Sequence, residues 1–248
     1  MLDLSDLSRF AILLDVDGTL LDIAPTPQEV QVPPALPDTL ARVRERVGGA
    51  LALVSGRRIA ELDRFFAPLR LAAVGGHGAE LRAVAGGSIV DLRAPPLDPV
   101  FKRQLEAIAA RHPCVIVEDK GYSIALHYRQ VPQQGLALVH EVRGAFRSWD
   151  DPMLELLTGK AVLEIKFAGF NKGTGVRELM AHPPFHGRPP IFIGDDRTDE
   201  DAFAVMPAFN GLAMSVGRRI AGIRDRFEGP AEVRRWLERL SEGAAVPS

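Results

Sequence analysis

The sequence predicts an α/β protein: a parallel β-sheet flanked by helices and interrupted by an inserted α+β domain. Three observations carry this expectation. Short apolar runs alternate with segments of helical periodicity, as expected of strands buried on both faces. The stretch between about residues 93 and 170 departs from that alternation. Its edges, Pro-rich "RAPPLDP" and Gly-rich "AGFNKG", have the composition of crossing points between domains. The expected division is a core of residues 1–93 and 170–248 with an insert of 94–169.

Taken in order, "AILL" (11–14) reads as a buried strand, and "PDTLARVRERV" then spaces Leu40, Val43 and Val47 at helical intervals. "ALALV" (50–54) and "LAAVG" (71–75) are further strands, with the helical "IAELDRFF" between them. Within the insert, "FKRQLEAIAARH" puts Phe101, Leu105 and Ile108 on one helical face, and "CVIVEDKGYSIALHYR" alternates as a hairpin does. "GLALVHEVRGAF" and "AVLEIKF" complete that unit. Beyond it, "PIFIG" (190–194) and "LAMSVG" (212–217) return to the buried-strand pattern, and "PAEVRRWLERL" closes the core as a helix.

A chain of 248 residues can bury a core without disulfides. Its 30 Lys and Arg against 32 Asp and Glu leave no basic field to hold a polyanion, which argues against nucleic acid. The single cysteine, Cys114 in "PCVIV", is expected to pack in apolar surroundings and fits a reducing compartment. The first fifteen residues hold three aspartates and no basic leader region, and no apolar stretch approaches the roughly 18 residues of a membrane span. A soluble, cytoplasmic monomer acting on a small molecule is the expectation.

"AILLDVDGTLLD" raises the chemical question, because an apolar strand ends in two aspartates one residue apart. The carboxyl end of a parallel strand is where open α/β sheets bind ligands. "LALVSGRR" and "PIFIGDDRTDED" repeat the arrangement, so Asp15, Ser55 and Asp195 should reach one sheet edge. Clustered carboxylates repel, and some must take up protons or share a cation. Oxygen ligands favour Mg²⁺, which keeps waters and leaves room for a substrate phosphate. Asp15 and Asp195 would bind the ion directly, Asp17 through its main-chain carbonyl, and Asp196 or Asp199 through water. Asp15 then reads as a nucleophile giving an aspartyl-phosphate, and Asp17 as the acid that protonates the leaving alkoxide and the base that activates water. The Ser55 hydroxyl, N–H groups near Gly56, and Lys172 could balance the phosphoryl oxygens. Lys172 also reads as an ordinary exposed lysine, "SG" as a plain turn and "DDRTDED" as a solvated helix start. The ordered combination of all four segments is what makes coincidence the weaker explanation.

"DVDGTL", "SGR", the lysine of "NKG" and "GDDRTDED" resemble the four motifs of the haloacid-dehalogenase-like (HAD) phosphatases, over nearly the whole chain. The resemblance implies a Rossmann-like parallel-sheet core with an inserted α+β cap. It assigns Asp15 as nucleophile, Asp17 as acid and base, Ser55 and Lys172 as phosphate-stabilising groups, Asp195 as a Mg²⁺ ligand, and the "SGR" residues Gly56 and Arg57 to the substrate.

Strand parity in the insert places Glu118 with Lys120 on one face, Ser123, Ala125, His127 and Arg129 on one, and Glu164 with Lys166 on one. The opposite residues, Ile124, Leu126, Leu163 and Ile165 among them, should pack on the two helices. The polar set is nearly balanced in charge, which suits the hydroxyls of a neutral sugar better than further phosphates; a solvent-facing sheet with ion pairs gives the same pattern. "VEDKGYSIALHYR" and "VLEIKFAGFNKG" resemble the sugar-gripping segments of the trehalose-6-phosphate phosphatases, which implies Glu118, Lys120, Arg129 and Glu164 as sugar contacts. "GGHGAE" resembles a segment near their site and implies His77 and Gly78. Phe167 departs from the proline usual after "EIK" in that family and bears on the local hinge. Sucrose-phosphate or mannosyl-3-phosphoglycerate phosphatases, a phosphomutase, and a non-catalytic sugar-phosphate sensor are the competing readings.

Overall fold

The structure is a computed structural model that describes residues 6–26, 29–91, 95–223 and 225–243. In chain order its elements begin with β1 (Ala11–Leu14), α1 (Leu36–Arg46), β2 (Leu51–Val54), α2 (Ile59–Phe65), β3 (Ala72–Gly75), β4 (Glu80–Arg82) and β5 (Val90–Asp91). Next come α3 (Pro99–Ala109), β6 (Ile116–Asp119), β7 (Ser123–His127), α4 (Gly135–Trp149), β8 (Leu154–Gly159) and β9 (Val162–Phe167). The chain ends with α5 (Lys172–Met180), β10 (Pro190–Gly194), α6 (Glu200–Val205), β11 (Leu212–Val216), β12 (Asp225–Phe227) and α7 (Pro230–Glu242). They divide into two compact units, one of Met1–Ile23, Val30–Leu92 and Asn171–Ser248, the other of Ala24–Glu29 and Arg93–Phe170. The crossing expected at 93/94 lies outside the described residues. The segment 24–29, read from sequence as core, groups with the second unit, where the Arg129 guanidinium donates to the Ala24 carbonyl.

The first unit holds an eight-stranded sheet in the order β12-β11-β10-β1-β2-β3-β4-β5. From β12 to β3 all pairs are parallel, and β4 and β5 add an antiparallel edge. Every residue of β1, β2, β3 and β10 is buried, which is why these segments read as continuous apolar runs. Successive strands run outward from β1 to one side through β2 and β3, while β10, β11 and β12 run to the other. That makes β1/β10 the switch point of the sheet, where the connections leave a crevice at the carboxyl ends. Helix α1 packs on α7 and α5 on α6; Leu40 and Val43 of α1 and Trp236, Leu237 and Leu240 of α7 are all buried.

In the second unit the antiparallel sheet runs β6-β7-β9-β8. Ile124, Leu126, Leu163 and Ile165 form one core with Leu105 and Ile108 of α3 and Leu138 and Val142 of α4, as parity predicts. Strand β8 was not anticipated, because "LELLTG" alternates too weakly to separate from a loop. Cys114 is exposed, in a turn with φ +70°, and so has no packing role. Parity also fails at Arg129, which lies beyond the end of β7 in a turn, with Nη2 donating to the Lys160 carbonyl at 3.0 Å.

Arg82 at the antiparallel edge is 1% exposed. Its Nη1 and Nη2 donate to Asp63 at 2.8 and 2.5 Å, and its Nε donates to the Leu71 carbonyl at 2.7 Å. The bond from Arg82 holds the Asp63 carboxyl below the ordinary carboxylate range. Asp63→Asn leaves a buried guanidinium short of its counter-charge and should cost about 3 kcal/mol at pH 7. A depressed carboxyl contributes stability that is complete above its unfolded value and lost as pH falls through its folded value. Denaturant melts of both proteins should therefore converge as pH drops below about 4.

Candidate active site

Register dictates the site. Leu14 of β1 lies level with Ile193 of β10 and with Leu53 of β2, and the Asp15 N–H continues the ladder to the Ile193 carbonyl at 2.9 Å. Asp15, Asp195 and Ser55 therefore emerge from three adjacent strand ends within about one residue of each other. All three are buried. Gly18 allows the first two to approach: its φ is +89°, and a Cβ there would stand 2.3 Å from Asp195 Oδ2. Thr19 Oγ1, from the same turn, donates to Asp195 Oδ1 at 3.3 Å.

Lys172 is the first residue of α5, fixed there by a cap in which Asn171 Oδ1 accepts from Thr174 N–H at 2.8 Å and Thr174 Oγ1 accepts from Asn171 N–H at 3.0 Å. It is buried rather than exposed, and its ammonium donates to Asp15 Oδ1 and to Asp199 Oδ1, both at 2.6 Å. The other Asp199 oxygen accepts the N–H groups of Asp195 and Asp196 at 2.9 and 2.8 Å. Asp199 thus anchors both the lysine and the turn after β10. Arg218 steadies that turn from outside, with Nε donating to the Asp195 carbonyl at 2.8 Å.

Ligand atoms of Asp15, Asp195 and Asp199 lie within 4.8 Å of one another. Burial, then the charge of Asp199 and, more weakly, of Asp195, push the Asp15 carboxyl well above the ordinary range against the pull of Lys172. Burial likewise raises Asp199 despite Lys172. Burial by itself would lower Lys172, but the carboxylates of Asp15 and Asp199 outweigh it and raise that ammonium above its usual value. When ionised, the three carboxylates of the cluster against one ammonium leave a deficit of two positive charges. The donor set fits a divalent cation, with oxygen ligands of the hard type.

Of the other expected ligands, Asp196 turns its carboxylate to the helix start, where Oδ1 accepts from Arg197 N–H at 2.7 Å. Asp17, expected to reach the ion through its main-chain carbonyl, keeps its carboxylate outside the buried cluster. That carboxylate is gripped by Arg57, whose Nε and Nη2 donate to its two oxygens at 2.7 Å each. Ser55 Oγ accepts from Arg57 N–H at 3.1 Å, and the His77 N–H donates to the Ser55 carbonyl at 3.0 Å. His77 has φ +54°, and its ring lies so close that a Cβ on Gly56 would meet Nε2 at 2.4 Å. Gly78 packs against the Asn171 backbone. "SGR", "GGHG" and "NKG" are thereby joined into one assembly around the strand ends.

In the second unit Glu118, Ala125 and Glu164 form a row across β6, β7 and β9. Lys120 Nζ donates to Glu164 Oε1 at 3.2 Å and Ser123 Oγ to the same oxygen at 2.7 Å, while His127 Nε2 lies 2.8 Å from Glu118 Oε2. Burial would raise the Glu118 carboxyl, but the bond to His127 and the charge of Lys120 hold it below its ordinary range. Glu118, Lys120 and Glu164 share this face as expected; Arg129, bound to two carbonyls, does not. Thr19, Ser123, His127, Arg218 and the anchoring role of Asp199 escaped sequence reasoning. Thr19 stands within "DGT" and Ser123 and His127 on the polar parity of β7, so those three had a visible signal.

The fold and this site define a HAD-like phosphatase. The sequence profile of the trehalose-phosphatase family matches residues 13–222, and the chain belongs to that family. It is 37% identical over 234 residues to the trehalose-6-phosphate phosphatase of Escherichia coli (strain K12), covering 94% of this chain and 87% of that one. It is 41% identical over 215 residues to a probable trehalose-phosphate phosphatase of Sinorhizobium fredii, covering 86% and 80%. The C-terminal domain of C. albicans trehalose-6-phosphate phosphatase shares the fold, with a TM-score of 0.80 at 22% identity, covering 96% of this chain and 93% of that one.

Asp195→Asn removes one charge from the cluster and should weaken Mn²⁺ binding about tenfold or more, read by titration calorimetry. Thermal stabilisation by the ion should fall in step.

Proposed function

We propose that the enzyme hydrolyses trehalose-6-phosphate to trehalose and inorganic phosphate with Mg²⁺ as its cofactor. The observation that carries this reading is the Lys172 ammonium held between Asp15 and Asp199 in a buried cluster short of positive charge, in a chain of the trehalose-phosphatase family. Asp15 and Asp195 would hold Mg²⁺, which when bound supplies charge to a substrate phosphate. The Asp15 carboxylate attacks phosphorus, the O–P bond forms as the sugar ester bond breaks, and Asp17 gives its proton to the departing alkoxide. Asp17 then takes a proton from the water that cleaves the aspartyl-phosphate. Lys172, the Ser55 hydroxyl and the Gly56 N–H face the charge on the non-bridging oxygens. A monomeric cytoplasmic enzyme remains part of the proposal, the single cysteine fitting a reducing compartment.

Glu118, Lys120 and Glu164 read the sugar in this scheme. Their support is a face whose two carboxylates are hydrogen-bonded by Lys120, Ser123 and His127, so that it offers donors and acceptors to hydroxyls without the cluster of cations that would attract a second phosphate. Glu118→Ala is expected to lower kcat/KM for trehalose-6-phosphate about 10- to 100-fold, the loss of one or two charge-assisted hydrogen bonds. Hydrolysis of p-nitrophenyl phosphate should stay within about twofold of the parent if the same hydrogen bonds are absent there.

Asp15→Asn should abolish phosphate release from trehalose-6-phosphate, measured with Mg²⁺ present, while calorimetry still detects substrate binding. Release by the variant would remove Asp15 from the nucleophile role. Isomerised sugar phosphate without free phosphate in the parent would instead mark a mutase.

A further inference from the structure

We infer that Arg57 is the positioning residue for Asp17, fixing the plane of its carboxylate through a bidentate fork. Asp17 sits on the turn after β1 with a side chain 34% exposed, so packing alone does not define its rotamer. Arg57, 11% exposed, supplies the definition with two charge-assisted bonds of 2.7 Å. The guanidinium is itself tethered to α2: its carbon lies 4.6 Å from the centre of the Phe65 ring, and Nη1 lies 3.9 Å from Glu61. A rigid line of contacts therefore runs from α2 through Arg57 to Asp17.

The chemistry matches this arrangement. Arginine has donors and no acceptor, so within the pair any proton exchanged with substrate or water is exchanged at the carboxylate. Each Asp17 oxygen gives one lone pair to the fork and retains another, so orientation is fixed without removing the capacity to transfer a proton. Arg57, expected from "SGR" to touch substrate, acts in this arrangement on Asp17.

The inference rests on Asp17 being the acid and base, and the test separates the two ideas. With the full chain and Mg²⁺, kcat/KM is measured for aryl phosphates whose leaving groups run from dinitrophenol to phenol. The parent should show a shallow dependence on leaving-group basicity and Asp17→Asn a steep one. Arg57→Ala should steepen the dependence, losing about tenfold or more on phenyl phosphate relative to dinitrophenyl phosphate, within the usual range for general acid catalysis. Arg57→Lys keeps the charge and the loop but loses the fork, and should fall between the two. In the double variant Arg57→Ala should add no further slope to Asp17→Asn. A steep Asp17→Asn with an Arg57→Ala line parallel to the parent would overturn the positioning role alone. An Asp17→Asn line parallel to the parent would overturn the acid–base reading and this inference with it.

Discussion

Everything in the catalytic unit is organised around one buried ammonium. Lys172 donates to Asp15 and Asp199 at 2.6 Å, and a third carboxylate, Asp195, lies in the same cluster. Burying charge is costly unless it is paired, and here the pairing is deliberately incomplete. One ammonium orients the carboxylates and three carboxylates leave room for a dication. A cluster neutralised entirely by protein would have no use for a metal, and one with no lysine would drive its acids still further toward protonation. The observed ratio sits between these limits.

Such a cluster needs backbones that approach more closely than side chains ordinarily allow. Parallel strands β1 and β10 bring Asp15 and Asp195 within about one residue of level, and the left-handed Gly18 removes the atom that would collide with Asp195. The lysine arrives from a separate helix, positioned by the Asn171 and Thr174 cap rather than by the sheet. The constraint is therefore tertiary: three strand ends and one helix start must meet within a few ångströms. Local unfolding of any one would release uncompensated charge, which ties the integrity of the site to that of the sheet centre.

The alternation of buried strands and amphipathic helices was legible because each parallel strand is apolar on both faces, and so was the convergence of Asp15, Ser55 and Asp195 on one edge. Edge strands β4, β5 and β12 and the weakly alternating β8 were not, since two- and three-residue pairings carry no periodicity. Side-chain direction was the other gap. Sequence gives the order of "GDDRTDED" but not that Asp199 turns inward to the lysine while Asp196 turns to Arg197. Lys172 could not be distinguished from a surface lysine without seeing what lay opposite. Arg129 shows the converse error, since two-residue parity was carried past the last ladder residue, His127, into a turn.

Asp15 and Asp17, two residues apart, illustrate how environment separates one residue type into two roles. Asp15 is buried beside an ammonium and two acids, an environment that fixes its carboxylate and places it against whatever cation the cluster takes up. Asp17 is a third exposed and held by a fork that accepts nothing, so its carboxylate stays open to exchange with solvent and substrate. A nucleophile must be fixed and screened from water, whereas an acid and base must reach both the leaving oxygen and water in turn. The intervening Val16, fully buried, anchors the turn between them and sends the two side chains into these different surroundings. The D-x-D spacing therefore works as a geometric divider: one carboxylate goes to the sheet interior and one to its margin, from a single turn of chain.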